Sequence, residues 1–524
     1  MRIFKFQCFL FISISFIISN SVNAQSDKKP NVIFIMCDDL NDYLGSFGGH
    51  PQAITPNLDK LAKSSIQFVN AQTNIPVCQP SRNSLFTGVY AHDSKDFGWT
   101  PLHNQPVLKN NKTMMQLFQE NGYKTLGSGK LTHGKPPEEW DEWGANYKHN
   151  YGPVYNDGEN NVAHPKVPAP YNSIGSVDGS YGRLSTAGVS TGERGKPGWV
   201  NGWDKKPFRY INENDRDLLQ DEKHAKWAIE KLEKLEKTNQ PFFMGLGFVR
   251  PHTPLHAPDK YFDLYPIEEL ELSPWMQNDI DDLHWLENFN KKNKGPKLYR
   301  TLLESYNGDR ELALKHFLQA YLACVTFVDE QIGKVINALE QSPLSKNTIV
   351  VFTSDHGWQM GEKEYLFKNS PWEESTRIPL LIKRGNSPVI GKVTQPVSLI
   401  DIYPTLIELC NLKGSNKKND LGGELGGYSL KPFLKNTNSK DWKGPNGALT
   451  MVGNYGNNKS LNEQNFSYRT ADYRYIRYSN GKEELYDHKN DTFEWNNLAS
   501  DKTYVKIKKR LKREMEYILN FSLD

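Results

Sequence analysis

Asn31-Val32-Ile33-Phe34-Ile35-Met36, preceded by Pro30 and followed by Cys37-Asp38-Asp39, is the stretch that sets the fold. The run from Val32 to Cys37 has no polar alternation, so it reads as a strand buried on both faces, the mark of a parallel sheet. Similar runs recur at Phe242 to Phe248, Thr348 to Thr353 and Leu380 to Lys383, with a shorter one from Tyr123 to Leu126. Between them lie helical patterns at Thr113 to Glu120, Leu219 to Lys237 and Glu311 to Leu339. Strands alternating with helices predict an α/β fold: a large mixed, mostly parallel sheet flanked by helices. Such sheets hold their ligands at the carboxyl ends of the strands.

The first residues read as a leader: basic Arg2 and Lys5, an apolar run from Phe9 to Ile18, and a small-residue cleavage site at Val22-Asn23-Ala24. That run is shorter than the roughly 20 residues a membrane span needs, and no later stretch comes close. The chain is therefore expected to be exported, periplasmic or secreted, with residues 1–24 removed. Losing two cations with the leader takes the formal charge from +3 to +1, which leaves no electrostatic footprint for nucleic acid. Cys8 leaves too, and Cys37, Cys324 and Cys410 sit in apolar patterns that read as buried thiols rather than a disulfide framework.

About 500 residues remain, enough for one large domain, placed at 25–440, and one small one at 441–524. Ala145 to Lys206 is rich in Gly, Asn, Tyr, Pro and Ser without a sustained period; it reads as long substrate-facing surface loops, with a disordered insert as the alternative. Past the turn-rich boundary, Phe466 to Tyr478 alternates like one antiparallel strand, Ser479-Asn480-Gly481 reads as a hairpin turn, and Glu484-Leu485-Tyr486 returns. A last helix from Tyr504 to Leu519 sets Ile507, Leu511, Met515 and Ile518 on one face. Lys508, Lys509, Arg510, Lys512 and Arg513 are its solvated side, with membrane or polyanion binding as the other reading.

Asp38 and Asp39 end the first strand, and Asp355-His356-Gly357 ends the Thr348 strand. Adjacent strand residues point to opposite faces, so Asp38 and Asp39 can reach one ion only where the strand turns. Three carboxylates at two strand ends repel unless a cation binds them, and their hard oxygens suit Ca²⁺ or Mg²⁺. Lys130 and His133 follow a third strand, Arg250-Pro251-His252 a fourth, and Lys368 the loop after His356. Singly these are ordinary surface residues; together at strand ends they form a constellation. Cys78-Gln79-Pro80-Ser81-Arg82 adds a thiol beside an arginine.

That last segment resembles the signature of the type I (formylglycine-dependent) sulfatases of the alkaline phosphatase superfamily, in which the cysteine is oxidised during export. The resemblance continues, in family order, through Pro30 to Asp39, Gly122 to His133, Arg250-Pro251-His252, Ser354 to Gly357 and Leu399 to Thr405, and Glu484 to Asp487 with Asn496-Asn497-Leu498 resembles the small C-terminal domain. It implies one Ca²⁺ held by Asp38, Asp39, Asp355, His356 and a Cys78 converted to 3-oxoalanine (formylglycine) by a maturation enzyme, with Arg82, Lys130, His133, His252 and Lys368 lining a sulfate pocket. It also implies that a hydroxyl of the formylglycine hydrate attacks sulfur, that His252 protonates the leaving sugar oxygen and that His133 takes a proton from the second hydroxyl. His356 in place of a more usual Asn, and the three-residue step from Lys130 to His133, resemble the iduronate-2-sulfatase-like branch. The expected substrate is a sulfated carbohydrate, uronic-acid-containing or algal such as ulvan. Trp99, Trp140, Trp143 and Trp372 are candidate sugar platforms or structural aromatics. The rival readings are a phosphatase or phosphonate monoester hydrolase of the same superfamily, and a non-catalytic glycan-binding protein that keeps Cys78 as a thiol.

Overall fold

A computed structural model describes residues 28–133, 139–144, 151–202, 206–285, 294–385, 387–454 and 460–523. The leader expected at 1–24 lies outside them. Among the described residues no helix is long and apolar enough to cross a membrane.

Among these residues eight strands make the main sheet: β1 (Asn31–Asp38), β2 (Ile66–Phe68), β3 (Lys124–Gly129), β4 (Glu142–Trp143), β5 (Phe242–Pro251), β6 (Thr348–Ser354), β7 (Leu380–Arg384) and β8 (Gly391–Val393). Their order is β8-β2-β7-β6-β1-β5-β3-β4, and β7 alone runs against the rest. The sheet is thus mixed and mostly parallel. Every residue of β1 is buried. Ile33, Ile35 and Cys37 join one apolar cluster, and Val32, Phe34 and Met36 join the other. The unbroken apolar run is explained by this two-sided burial, each large side chain contributing about 1.5–3 kcal/mol.

Helices cover both faces. α1 (Cys78–Thr87) and Ile402–Leu409 lie in the cluster of Val32, while α2 (Gln220–Leu235) and the long α3 (Arg310–Gln341) lie in that of Ile33. α3 starts where Asp309 accepts from the Leu312 N–H at 3.0 Å, an N-cap of the usual kind. Cys37, Cys78, Cys324 and Cys410 are all buried and none is in a disulfide.

Two expectations need correction. The described part of 145–206 is not only surface loop: Val154–Asn156, Asn161–Val162, Gly198–Asn201 and Lys206–Pro207 pair in a small antiparallel sheet. Tyr171, Leu184 and Trp199 from this segment enter the main core. Strands of two to four residues are too short to show a period. Near the C-terminus, the alternation from Phe466 to Tyr478 is two strands, not one. β9 (Gly447–Val452), β10 (Asn465–Thr470), β11 (Tyr473–Arg477) and β12 (Glu483–Asp487) form a meander, with a tight turn at Ala471-Asp472. The Ser479-Asn480-Gly481 turn is where it was expected, with Gly481 at φ 89°. α4 (Val505–Leu519) packs Leu511, Met515 and Leu519 against this sheet, and Ile75 and Val77, just before Cys78, share the same cluster.

Candidate active site

The carboxyl ends of β1, β3, β5 and β6 meet the first residue of α1. At the end of β1 the backbone turns: Asp39 has φ 64°, the left-handed region, and the pairing with β5 slips between Met36 and Asp38. This turn breaks the alternation and lets Asp38 and Asp39 serve one centre. The Asp39 N–H donates to Asp355 Oδ1 at 3.2 Å, tying the β1 and β6 ends together. β3 ends at Gly129 with φ 83°, where a Cβ would lie 2.0 Å from the Gly247 carbonyl oxygen of β5. The Lys130 N–H then donates to that carbonyl at 2.8 Å and its side chain turns inward.

Cys78 is the first residue of α1, where helix N–H groups favour negative charge, and α1 is buried throughout. Thr73 and Ser81 hydroxyls donate to the Asp355 carbonyl at 2.7 and 2.8 Å and so dock the helix start on the end of β6. Cys78 Sγ lies 3.2 Å from Lys368 Nζ and 3.3 Å from His356 Nε2. Lys368 also reaches Asp39 at 2.7 and 3.0 Å. Lys130 bonds Asp38, and His252 Nε2 lies 3.7 Å from Asp39 Oδ2.

Arg82 is placed differently from the expected pocket-lining role. Its fully buried guanidinium donates to Asp355 at 2.9 Å, to Asp38 at 2.9 Å, and to the Lys130 and Leu131 carbonyls. It braces the carboxylates from behind. His133 is less buried than these residues, its ring 5.0 Å from that of Trp99, which is 49% exposed. The other three tryptophans are structural: Trp372 is buried and donates to Glu484 at 3.1 Å, and Trp140 and Trp143 pack edge to face against the core.

Three carboxylates, Asp38, Asp39 and Asp355, are interleaved with three cations, Arg82, Lys130 and Lys368, none more than 5% exposed. Burial works against charge at every one of them. For Asp38, burial is outweighed by Lys130, His252, Arg82 and Lys368, which hold it well below the usual carboxylate range. For Asp39 burial prevails over Lys368, helped by repulsion from Asp38, and its pKa rises to about 8. Burial would neutralise Lys130 and Lys368, but Asp38 and Asp39 keep them cationic. Burial also raises the Cys78 thiol, so as a plain thiol it stays protonated.

The donor set fits a divalent ion. One group of atoms from Asp39, Cys78 and His356, and another from Asp38, Cys78 and Asp355, each lie within 4.8 Å of one another. His356 Nδ1 is 3.0 Å from the Gly357 carbonyl, which can only accept, so the lone pair of Nε2 faces Cys78 and Asp355. An imidazole pinned in this way is the usual form of a metal-ligating histidine.

Several residues here carry no sequence signal. Tyr151 stacks on His252 with centroids 4.5 Å apart, and Lys130 Nζ sits 4.8 Å over its ring. Tyr321 donates to the Asp39 carbonyl at 2.8 Å, and Asp221 accepts from the Val249 and Arg250 N–H groups. Tyr151 lies in an aperiodic segment, while Tyr321 and Asp221 look like ordinary helix residues. Arg250, noted in its Pro-His context, donates to the Tyr151 and His256 carbonyls and holds the His252 turn.

A buried thiol at a helix start, carboxylates for a hard cation and two lysines for an anion define a hydrolase of anionic esters. Residues 30–412 match the sulfatase family model, and residues 361–520 match the C-terminal region of N-sulphoglucosamine sulphohydrolase. The chain is 34% identical over 484 residues to a sulfatase of Formosa agariphila, covering 90% of this chain and 83% of the relative. It is 28% identical to an ulvan-active sulfatase of the same organism (92% and 80% covered) and 27% to iduronate 2-sulfatase of Mus musculus (76% and 72%). A protein solved in complex with its substrate D-glucosamine-2-N,6-O-disulfate superposes with a TM-score of 0.64 at 21% identity, covering 94% of this chain and 98% of that one. The phosphonate monoester hydrolase of Agrobacterium radiobacter superposes at 0.65 with 20% identity (94% and 95%), which shows the shared fold alone. The chain belongs to the sulfatase family and is a type I sulfatase of the alkaline phosphatase superfamily, a sulfuric ester hydrolase.

Proposed function

We propose that this sulfatase removes sulfate from a carbohydrate, a uronic-acid-containing or algal fragment such as ulvan, with Cys78 as formylglycine and one Ca²⁺ at the carboxylates. The observation that carries the reading is the position of Cys78 Sγ, in contact with Lys368 and His356 and grouped with Asp38, Asp39 and Asp355. The ulvan-active and iduronate relatives support the substrate class.

Asp38, Asp39, Asp355 and His356 would hold the ion and Cys78 the aldehyde. When present, these groups supply charge neutralisation at the sulfate oxygens and a hydroxyl nucleophile. The side chains supply the rest. Lys130 and Lys368, kept cationic by their aspartates, receive the sulfate oxygens and stabilise charge that grows as the ester bond breaks, in a site that excludes water. Arg82 fixes Asp38 and Asp355. His252 donates through Nδ1 to the Thr253 carbonyl, which leaves Nε2 facing the site. Burial first, then Lys368, hold this imidazole neutral in the free enzyme. An anionic ester between the lysines offsets that effect, so Nε2 gains a proton as substrate binds and passes it to the leaving sugar oxygen. His133 takes the second proton-transfer role, near the Trp99 rim. Export to the periplasm or beyond and a separate maturation enzyme complete the reading.

The test is sulfate release from sulfated ulvan oligosaccharides, with phosphate esters assayed in parallel and the Cys78 peptide weighed by mass spectrometry. Cys78→Ala is expected to unfold at the wild-type temperature and release no sulfate. Undiminished turnover by that variant overturns the nucleophile, and preferred phosphate ester hydrolysis overturns the substrate class.

A further inference from the structure

The basic side of α4 takes no part in this site. Lys506, Lys509, Arg510 and Arg513 are exposed and spaced by three and four residues, so they form one stripe. Tyr517, 82% exposed, continues it by a further turn. Alongside the stripe a cleft of about 900 Å³ is lined by Arg510, Arg513 and Tyr517 together with Lys443, Tyr428 and Tyr90. Tyr428 is a fixed platform: 39% exposed, edge-on to Trp442 at 5.9 Å, with its N–H on Asp401 at 2.7 Å.

Two acids of the cleft are already engaged: Glu514 accepts from Tyr468 at 3.0 Å and faces Arg510 at 3.7 Å, and Glu424 pairs with Lys417, while Asp93 lies 3.6 Å from His92. Among the described residues Lys443, Lys506, Lys509 and Arg513 pair with no carboxylate. Unpaired ammonium and guanidinium groups between tyrosine faces are suited to an anionic sugar chain: the cations to sulfate or carboxylate oxygens, the rings to the apolar faces of the sugars. A lipid surface fits less well, because Leu511, Met515 and Leu519 point into the core and only Val505 and Tyr517 are exposed apolar groups on α4.

We infer that the stripe and cleft form a second binding site for sulfated polysaccharide, one that tethers the polymer and takes no part in the chemistry. This rests on the sulfated-carbohydrate reading above. α1 joins the two sites: it begins at Cys78, and Tyr90 follows three residues beyond its end, about 15 Å of helix away. The site gains nothing from a short ester and everything from a long chain.

The experiment compares the full wild-type chain with K443A/R513A/Y517A, all surface positions, and with K509E/R513E. Binding of dextran sulfate, ulvan polymer, unsulfated dextran and phosphatidylglycerol vesicles is measured beside turnover of 4-nitrophenyl sulfate. Both variants are expected to weaken dextran sulfate and ulvan polymer binding by about tenfold at low salt. Their kcat/KM on 4-nitrophenyl sulfate is expected to equal that of wild type, and KM is expected to rise only for polymer. Unchanged polymer binding in the variants, wild type that binds no sulfated polymer, or loss of vesicle binding in place of polymer binding overturns the inference. Weakened polymer binding in the variants supports it even where ulvan fragments are not cleaved, an outcome that counts instead against the proposed substrate.

Discussion

Asp39 joins a left-handed backbone to a carboxyl that burial pushes up to about 8. In the ion-free protein the folded state therefore holds a proton that the unfolded state has lost above about pH 4, and this contribution to stability declines as pH rises through about 8. A divalent ion needs the ionised form, so its binding ejects that proton. The rise in Tm on adding Ca²⁺ to chelator-treated protein is thus expected to be larger at about pH 8 than at about pH 6, and to shrink in Asp39→Asn. Calorimetry at both pH values checks this; an equal rise at both removes Asp39 from the ligand set. Residue types at strand ends were legible before any coordinates, because chemistry-bearing side chains there have few other uses. Contacts such as Tyr151 on His252 were not, since an aromatic in an aperiodic segment gives no sign of what it faces.

Two glycines set the meeting of β3 and β5. A Cβ on Gly129 would lie 2.0 Å from the Gly247 carbonyl oxygen, and one on Gly247 would lie 2.2 Å from the Lys130 carbonyl. Gly129→Ala adds the strain of φ 83°, so a loss of more than about 2 kcal/mol in urea unfolding is expected, with a fall in kcat because Lys130 follows directly. A variant that is stable but impaired would show that the glycine serves only the lysine. At this scale the reading from sequence was most complete where burial is two-sided: β1, β5 and β6 announce themselves because the middle of each is apolar on both faces and polar residues come only at the ends. It failed at the two-residue turn Ala471-Asp472, where one face passes from even positions, Phe466 and Tyr468, to odd ones, Tyr473 and Tyr475, within a run that still looks alternating, and where β9 follows a turn-rich segment.

Across the whole molecule the C-terminal sheet holds the segment that carries Lys368. The Pro371 carbonyl accepts from Ser467 at 2.7 Å and from Arg474 at 3.1 Å, and Asn369 donates to the Gly453 carbonyl at 3.3 Å. Arg474 is fully buried and pairs with Glu373 and Glu494. Arg474→Ala leaves both acids without it, a loss of about 3–5 kcal/mol, and frees the Lys368 loop. A lower urea midpoint and a reduced kcat in the still-folded fraction are expected; an unchanged kcat would confine the clamp to stability. On the other side of the same sheet, the Met451 N–H donates to the Asn74 carbonyl at 3.0 Å, and Cys78 keeps 1% of its surface. That enclosure fixes a timetable. On the proposed formylglycine reading, a second protein that oxidises the thiol would have to meet it on the nascent or unfolded polypeptide, so conversion would race collapse, and every molecule that closed first would be locked out of maturation for as long as it stayed native.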